Sequence, residues 1–164
     1  MPNWCENNVI LKHSDPKKIA DLKAHLESDK NGSGEYFFNY LRPRPESEKD
    51  NWYGWNVDNW GCKWDADPSV LEIDENNISL DFASPWSPPI ALYEYLTAEG
   101  WEVEALYAEA GCSFCGSFSN GEHEFYEYDL EDPESYSDIP DEIFNYAGID
   151  IMLEEFKRQE ENNE

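Results

Sequence analysis

Asn120-Gly121 stands between two strand-like runs, residues 113–118 and 122–128, and this dipeptide constrains the fold more than any other feature of the chain. Asn and Gly both tolerate the positive φ that a two-residue turn requires, so the two runs are expected to pair as an antiparallel hairpin. Further runs of strand character lie at residues 4–12, 36–41, 70–73, 78–82 and 101–108. Pro43 and Pro45 close the second of these, because proline cannot donate to a ladder.

Two helices are expected between the strands. Ser14 is positioned to cap the first, with Pro16 in its first turn and Ile19, Leu22 and Leu26 on one face; residues 31–34, Asn-Gly-Ser-Gly, stop it. Ser87 caps the second ahead of Pro88, Ile90, Leu92, Tyr93 and Leu96 form its apolar side, and Gly100 ends it. A third helix is expected near the C-terminus, where Ile149, Met152, Leu153 and Phe156 fall at helical spacing, with fraying over Gln159 to Glu164. Residues 46–68 read as a long irregular segment carrying Trp52, Tyr53, Trp55, Trp60 and Trp64. A chain of 164 residues holds one core. The economical arrangement is an α+β domain, two helices on one face of a mainly antiparallel sheet, on a ferredoxin-like split β-α-β plan. The domain is expected over residues 1–128, and residues 129–164 form a docked extension, an acidic solvated loop followed by the last helix.

Charge narrows the partners. There are 37 acidic residues against 11 Lys and Arg, a net −26. Residues 122–164 hold 16 of the acids and two of the bases. The 25 aromatic residues argue against global disorder, since large rings bury much area. A surface of this sign repels phosphates and anionic lipid, which excludes direct nucleic-acid binding and attachment to an anionic membrane. The expected partners are a basic DNA- or RNA-binding protein or loosely held metal cations, although acidity also serves solubility, or a saline setting, alone. The opening MPNWCENNVILKHS lacks the charge pattern of a secretory signal, and no run approaches the roughly 20 apolar residues of a membrane span. The four cysteines are then expected to be reduced thiols in a cytoplasmic setting.

Chemical motifs are sparse. Cys112-Ser-Phe-Cys115 is a CxxC, and with Cys5 and Cys62 it makes four thiols, but a structural zinc site has two close pairs and only one is present. Strand alternation also sends 112 and 115 to opposite faces. Neither a metal nor another cofactor is expected. His13, His25 and His123 lack ligand spacing, and neither GxSxG nor a phosphate-binding glycine loop occurs. These absences point away from an enzyme. The densest feature is residues 55–66, WNVDNWGCKWDA, where rings alternate with Asn59, Lys63 and Asp65 and Gly61 turns the chain between two tryptophans. Trp86 lies in a second rigid segment among prolines. Rings with a few placed polar groups build a ligand pocket, or they cover the sheet.

Several blocks resemble a known family. They are Pro2-Asn3-Trp4-Cys5-x-Asn7, Phe38-Asn39-x-Leu41-x-Pro43-x-Pro45, Trp60-Gly61-Cys62-Lys63-Trp64-Asp65-Ala66, Trp86-Ser87-Pro88-Pro89, Tyr107-x-Glu109-x-Gly111 and Phe114-x-Gly116. In this order, over residues 2–121, the chain resembles the YubB-like ferredoxin-like domain family of phage- and plasmid-borne proteins. The resemblance implies a ferredoxin-like fold and a mobile-element origin, and it implies no catalytic residue set. It also implies that Cys62, Cys112 and Cys115 are not family requirements, so that a thiolate site would be private to this chain. The acidic residues after 128 lie outside it.

Three functional readings follow, the third being a structural or accessory protein with no ligand. In the first the chain is a non-enzymatic acidic binding protein of a phage or mobile element that acts on a host factor, as a nucleic-acid mimic or against host defence. In the second, Trp4, Asn7, Trp60, Lys63, Trp64, Asp65, Trp86 and Ser87 gather at one end of the sheet to bind a small ligand or to catalyse, with Lys63 the sole cation for a carboxylate or phosphate.

Overall fold

The computed structural model describes residues 2–28 and 36–163, the last by its backbone only. It is a mixed α/β structure built on one open, six-stranded antiparallel sheet of order β2-β3-β1-β4-β5-β6. The strands are β1 (Trp4–Lys12), β2 (Ser69–Ile73), β3 (Asn77–Pro85), β4 (Glu102–Glu109), β5 (Phe114–Ser119) and β6 (Glu122–Glu127). The helices are α1 (Pro16–Glu27), α2 (Phe38–Leu41), α3 (Trp52–Asn59), α4 (Ile90–Ala98), α5 (Asp141–Tyr146) and α6 (Ile149–Asn163), with a 3₁₀ turn at Glu46–Glu48.

Alternation decides the faces. Along β1, Cys5, Asn7, Val9 and Leu11 are buried on one face, and register sets Leu80 and Phe82 of β3 and Val103 and Ala105 of β4 beside them. Ile19, Leu22 and Leu26 of α1, Phe38 of α2, and Leu92, Tyr93 and Leu96 of α4 close on that face, together with Trp60. The hairpin forms where Asn-Gly predicts it. Asn120 and Gly121 take φ of 48° and 100°, and Phe118 pairs with His123.

Five features differ from the sequence reading. Asp15, and not Ser14, caps α1, its carboxylate accepting from the Lys17 N–H at 3.0 Å. The expected stop at residues 31–34 lies outside the described residues. Residues 36–41 are not a strand, because α2 forms there around a carboxylate from elsewhere in the chain. The segment expected to be irregular contains α3, whose carbonyls bond onward through the Trp60 and Gly61 N–H groups. Ser87 does not cap α4, which begins at Ile90; its hydroxyl donates instead to the Gly61 carbonyl at 2.9 Å.

The fifth difference is the larger. Helices cover both faces of the sheet rather than one. On the second face Ile139, Ile143 and Ile149 are buried against Cys115 and Tyr128, with Leu106, Ala108, Tyr126, Leu130, Tyr136, Phe144, Met152 and Leu153 around them. The acids of the segment expected to be a solvated loop are exposed, but its apolar residues form this second core. Burial of that size outweighs the small preference of any one acid for open solvent. The last helix runs on to Asn163, past the point where fraying is expected. Among the described residues no helix is long and apolar enough to cross a membrane.

Candidate functional site

The residues singled out from the sequence divide into a buried set and an exposed set. Trp60 belongs to the core: its ring is fully buried, meets Phe38 edge-on at 5.8 Å and Trp55 at 5.6 Å, and donates from Nε1 to the Arg42 carbonyl at 3.0 Å. Asn7 is buried as well. Its amide donates to the Cys5 carbonyl at 3.0 Å and to the Ser84 hydroxyl at 2.9 Å, and its oxygen accepts from the Tyr93 hydroxyl at 3.2 Å. Ser84 passes the chain of bonds to the Ser87 carbonyl at 2.7 Å. Asn7, Ser84, Ser87 and Gly61 therefore form one relay that ties β1, β3, the approach to α4 and the turn after α3. Gly61 has φ of 95°, and a Cβ there would lie 3.0 Å from the Ile90 nitrogen, so only glycine lets the turn meet the start of α4.

Asp65 is half-buried and its carboxylate is fully used. Oδ1 accepts from the backbone N–H groups of Phe37 at 3.1 Å, Phe38 at 2.6 Å and Ala66 at 2.7 Å, and Oδ2 from Asn39 at 2.9 Å. It is the cap of α2, supplied across more than 25 residues of chain. Burial raises its pKa above the ordinary carboxylate value, and the four N–H groups pull in the other direction without overcoming it. Asp65 and Trp60 thus serve the fold, and the compact Trp-Lys-Asp grouping expected from residues 60–65 is not assembled as one surface.

The exposed set makes a different arrangement. Trp4, Trp52, Tyr53, Trp64 and Trp86 are each between 37% and 54% exposed, unusual for rings of this size. The Trp4 and Trp64 rings are 6.4 Å apart. The Lys63 ammonium lies 4.5 Å from the centre of the Trp64 ring and 5.6 Å from that of Tyr53, and Trp52 meets Tyr53 edge-on at 5.9 Å. Four rings and one cation are therefore continuous. Trp86 donates from its backbone N–H to the Asn3 carbonyl at 2.8 Å, which ties its backbone to the residue before Trp4. Its φ is 69°, a conformation that bulky residues avoid. Lys63 itself is placed by Asn56, whose buried amide donates to the Lys63 carbonyl at 2.9 Å.

Sequence reasoning passed over Trp52 and Tyr53 as binding residues, because their place beside Lys63 depends on α3. It also passed over Glu109. This carboxylate is buried and accepts from the Gly111 and Cys112 N–H groups, both at 2.7 Å, and from Asn3. Burial works to raise its pKa, but bonds from Cys112, Gly111 and Asn3 hold it below the ordinary value. The signal was present in the family-like block at residues 107–111, where an acid precedes a glycine by two.

None of the four thiols is activated. Burial pushes Cys5 up to about 12 and Cys115 to about 11, and it raises Cys62 further. Cys112 is exposed in the turn before β5, and the Glu109 carboxylate raises its pKa. Among the described residues no group of three or more His, Cys, Asp or Glu side chains is arranged to hold a metal ion.

Five of the described cations form ion pairs. Lys17 pairs with Asp21 at 2.6 Å, Lys12 with Glu104 at 3.4 Å, Lys49 with Glu46 at 3.5 Å, Arg158 with Glu154 at 3.6 Å and Lys23 with Glu27 at 3.8 Å. Arg42 stacks on Tyr95 at 4.4 Å. All acids described between residues 122 and 161 are exposed. The surface therefore presents a large uncompensated negative charge, and it also carries a row of open rings. Comparison with family models, with curated proteins and with solved structures finds no match.

Proposed function

We propose that this chain is a non-enzymatic acidic binding protein of a phage or related mobile element, which takes a basic host protein as its partner in the host cytoplasm. The observation that carries the reading is the net charge of −26, with a surplus of exposed acids over cations of which five are already in ion pairs. Such a surface attracts a basic protein at long range and speeds its encounter. A role as nucleic-acid mimic needs acids in ordered rows, and Glu122 and Glu124 on one face of β6, at the sheet edge, supply the start of one.

Membership of the YubB-like ferredoxin-like family is part of the same proposal. It is supported by the positions of α1 and α4. The segment that starts with α1 and continues through α2 and α3 joins β1 to β2 with β3 between them in the sheet, and α4 joins β3 to β4 with β1 between them. These two crossings support a split β-α-β plan used twice, with β5 and β6 added at one edge. The division into a domain over residues 1–128 and a docked acidic extension over residues 129–164 belongs here too.

The test neutralises charge without removing chain. Cutting at Tyr128 would uncover Cys115, Leu106 and Ala108, so Asp129→Asn, Glu131→Gln, Asp132→Asn and Glu134→Gln are combined instead. Asn retains the side-chain oxygens that accept from the Glu131 and Glu134 N–H groups. Proteins captured from bacterial lysate by the two forms are identified at low and high salt. A basic nucleic-acid-binding protein held by the parent chain, and released by the four substitutions or by salt, is the expected result. Identical captures by both forms, with no basic protein enriched, would sink the reading.

A further inference from the structure

We infer that the exposed ring row is the anchor for arginine side chains of that basic partner. The inference rests on the basic-partner reading and narrows it to a place and a side-chain chemistry. The row runs Trp4, Trp64, Lys63, Tyr53, Trp52, and the exposed Trp86 is tied by its backbone N–H to the residue before Trp4. Aromatic faces carry a negative quadrupole and attract cations within about 6 Å. The protein demonstrates this with its own residue, since the Lys63 ammonium sits over two of these rings at 4.5 Å and 5.6 Å. Lys63 engages the Trp64 and Tyr53 end of the row, which leaves Trp4 and Trp86, 48% and 54% exposed, as the places for an incoming cation.

Charge complementarity selects the occupant. A second copy of this chain would bring another −26, and a nucleic acid would bring phosphates, so both are repelled. A cationic chain is drawn in by the same field. Among cations, guanidinium is planar and weakly hydrated and stacks on indole faces, whereas an ammonium is compact and strongly hydrated. The left-handed backbone of Trp86 fits the assignment. A bulky side chain at φ 69° is held in an unfavourable conformation, and the ring it presents is among the most open in the molecule.

The experiment is calorimetric titration of the full chain with octa-arginine and with octa-lysine, at low and moderate salt. Three forms are compared: the parent, Trp4→Ala/Trp86→Ala, and the four-site charge-neutralised chain. Trp4→Leu/Trp86→Leu serves as a second ring variant that keeps apolar bulk, and circular dichroism checks the fold of each. The parent is expected to bind octa-arginine more tightly than octa-lysine. Both ring variants should lose about tenfold for octa-arginine and less for octa-lysine, with the salt dependence unchanged. The neutralised chain should show a shallower salt dependence for both peptides. Failure of the parent to bind either peptide would overturn the basic-partner reading together with this inference. Binding of octa-arginine by the parent and equally by the ring variants would overturn the ring anchor alone. Equal losses for the two peptides would overturn the assignment to guanidinium.

Discussion

Replacing Asp65 separates a residue that holds the fold from one that meets a ligand. In Asp65→Ala the N–H groups of Phe37, Phe38, Asn39 and Ala66 all lose their acceptor. Each such bond contributes about 1 kcal/mol net, and losing a helix cap costs about 0.5–2 kcal/mol. The site is half-buried, so water replaces part of the loss, and removing a charge whose pKa burial has raised returns a little more. The expected cost is about 3 kcal/mol, a large share of the roughly 5–15 kcal/mol by which domains are stable. In Asp65→Asn, Oδ1 keeps the bonds from Phe37, Phe38 and Ala66, and an amide NH₂ replaces the Oδ2 that faces the Asn39 N–H. One bond is lost, at a cost of about 1 kcal/mol. Urea unfolding followed by tryptophan fluorescence reads both. With a slope of about 2 kcal/mol per molar, the midpoint should fall by about 1.5 M for Ala and about 0.5 M for Asn. Octa-arginine binding by the folded variants should stay within about twofold of the parent, since the carboxylate is spent on the backbone. An alanine variant that loses less than about 0.5 kcal/mol, or an asparagine variant as damaged as the alanine one, would refute the capping argument.

Further predictions concern the second core, the thiols, the acids and the surface. Ile143→Ala should cost about 2–4 kcal/mol, because its side chain is buried between α5 and the sheet; a loss below about 1 kcal/mol would mean that the segment is not docked as described. In the native protein one thiol, Cys112, should react readily with a disulfide reagent, and all four should react after unfolding; rapid native reaction of a second would contradict the burial of Cys5, Cys62 and Cys115. Glu109 has a folded pKa below its unfolded value, so its contribution is present above the unfolded value, about 4.3, and is lost as pH falls through the folded one. The stability difference between the parent and Glu109→Gln should therefore shrink on acidification below about pH 4 and stay constant above about pH 6; a difference that grows on acidification would reverse the assigned direction. Raising salt should raise the melting temperature by screening repulsion among the surplus acids, and a fall would show that the local ion pairs dominate.

The elements that were legible in the chain are those whose signal is local. The Asn120-Gly121 turn, the alternation along β1, β3 and β4, and the apolar stripes of α1 and α4 depend on neighbours within a few residues. Their spacing and turn chemistry determine strand or helix before any tertiary contact exists. Where the reading failed, the deciding partner was distant. Residues 36–41 carry the aromatic composition of a strand, and they are helical because Asp65, a loop away, satisfies the first N–H groups of that helix. The segment after Asp129 reads as solvated because its acids outnumber its apolar residues, yet Ile139 and Ile143 find a sheet face that the other helices leave open.

The candidate site divides along the same line. Composition alone determined that the chain carries a large negative charge and an excess of rings, since charge and residue type are properties of the sequence. Which rings face water was decided only by the fold. Trp60 and Trp64 are four residues apart on one short segment, and one is fully buried while the other is 38% exposed beside Lys63. Gly61, held at φ 95° against the start of α4, turns the chain between them. A glycine at positive φ redirects the chain that follows it, and no count of residue types carries that information.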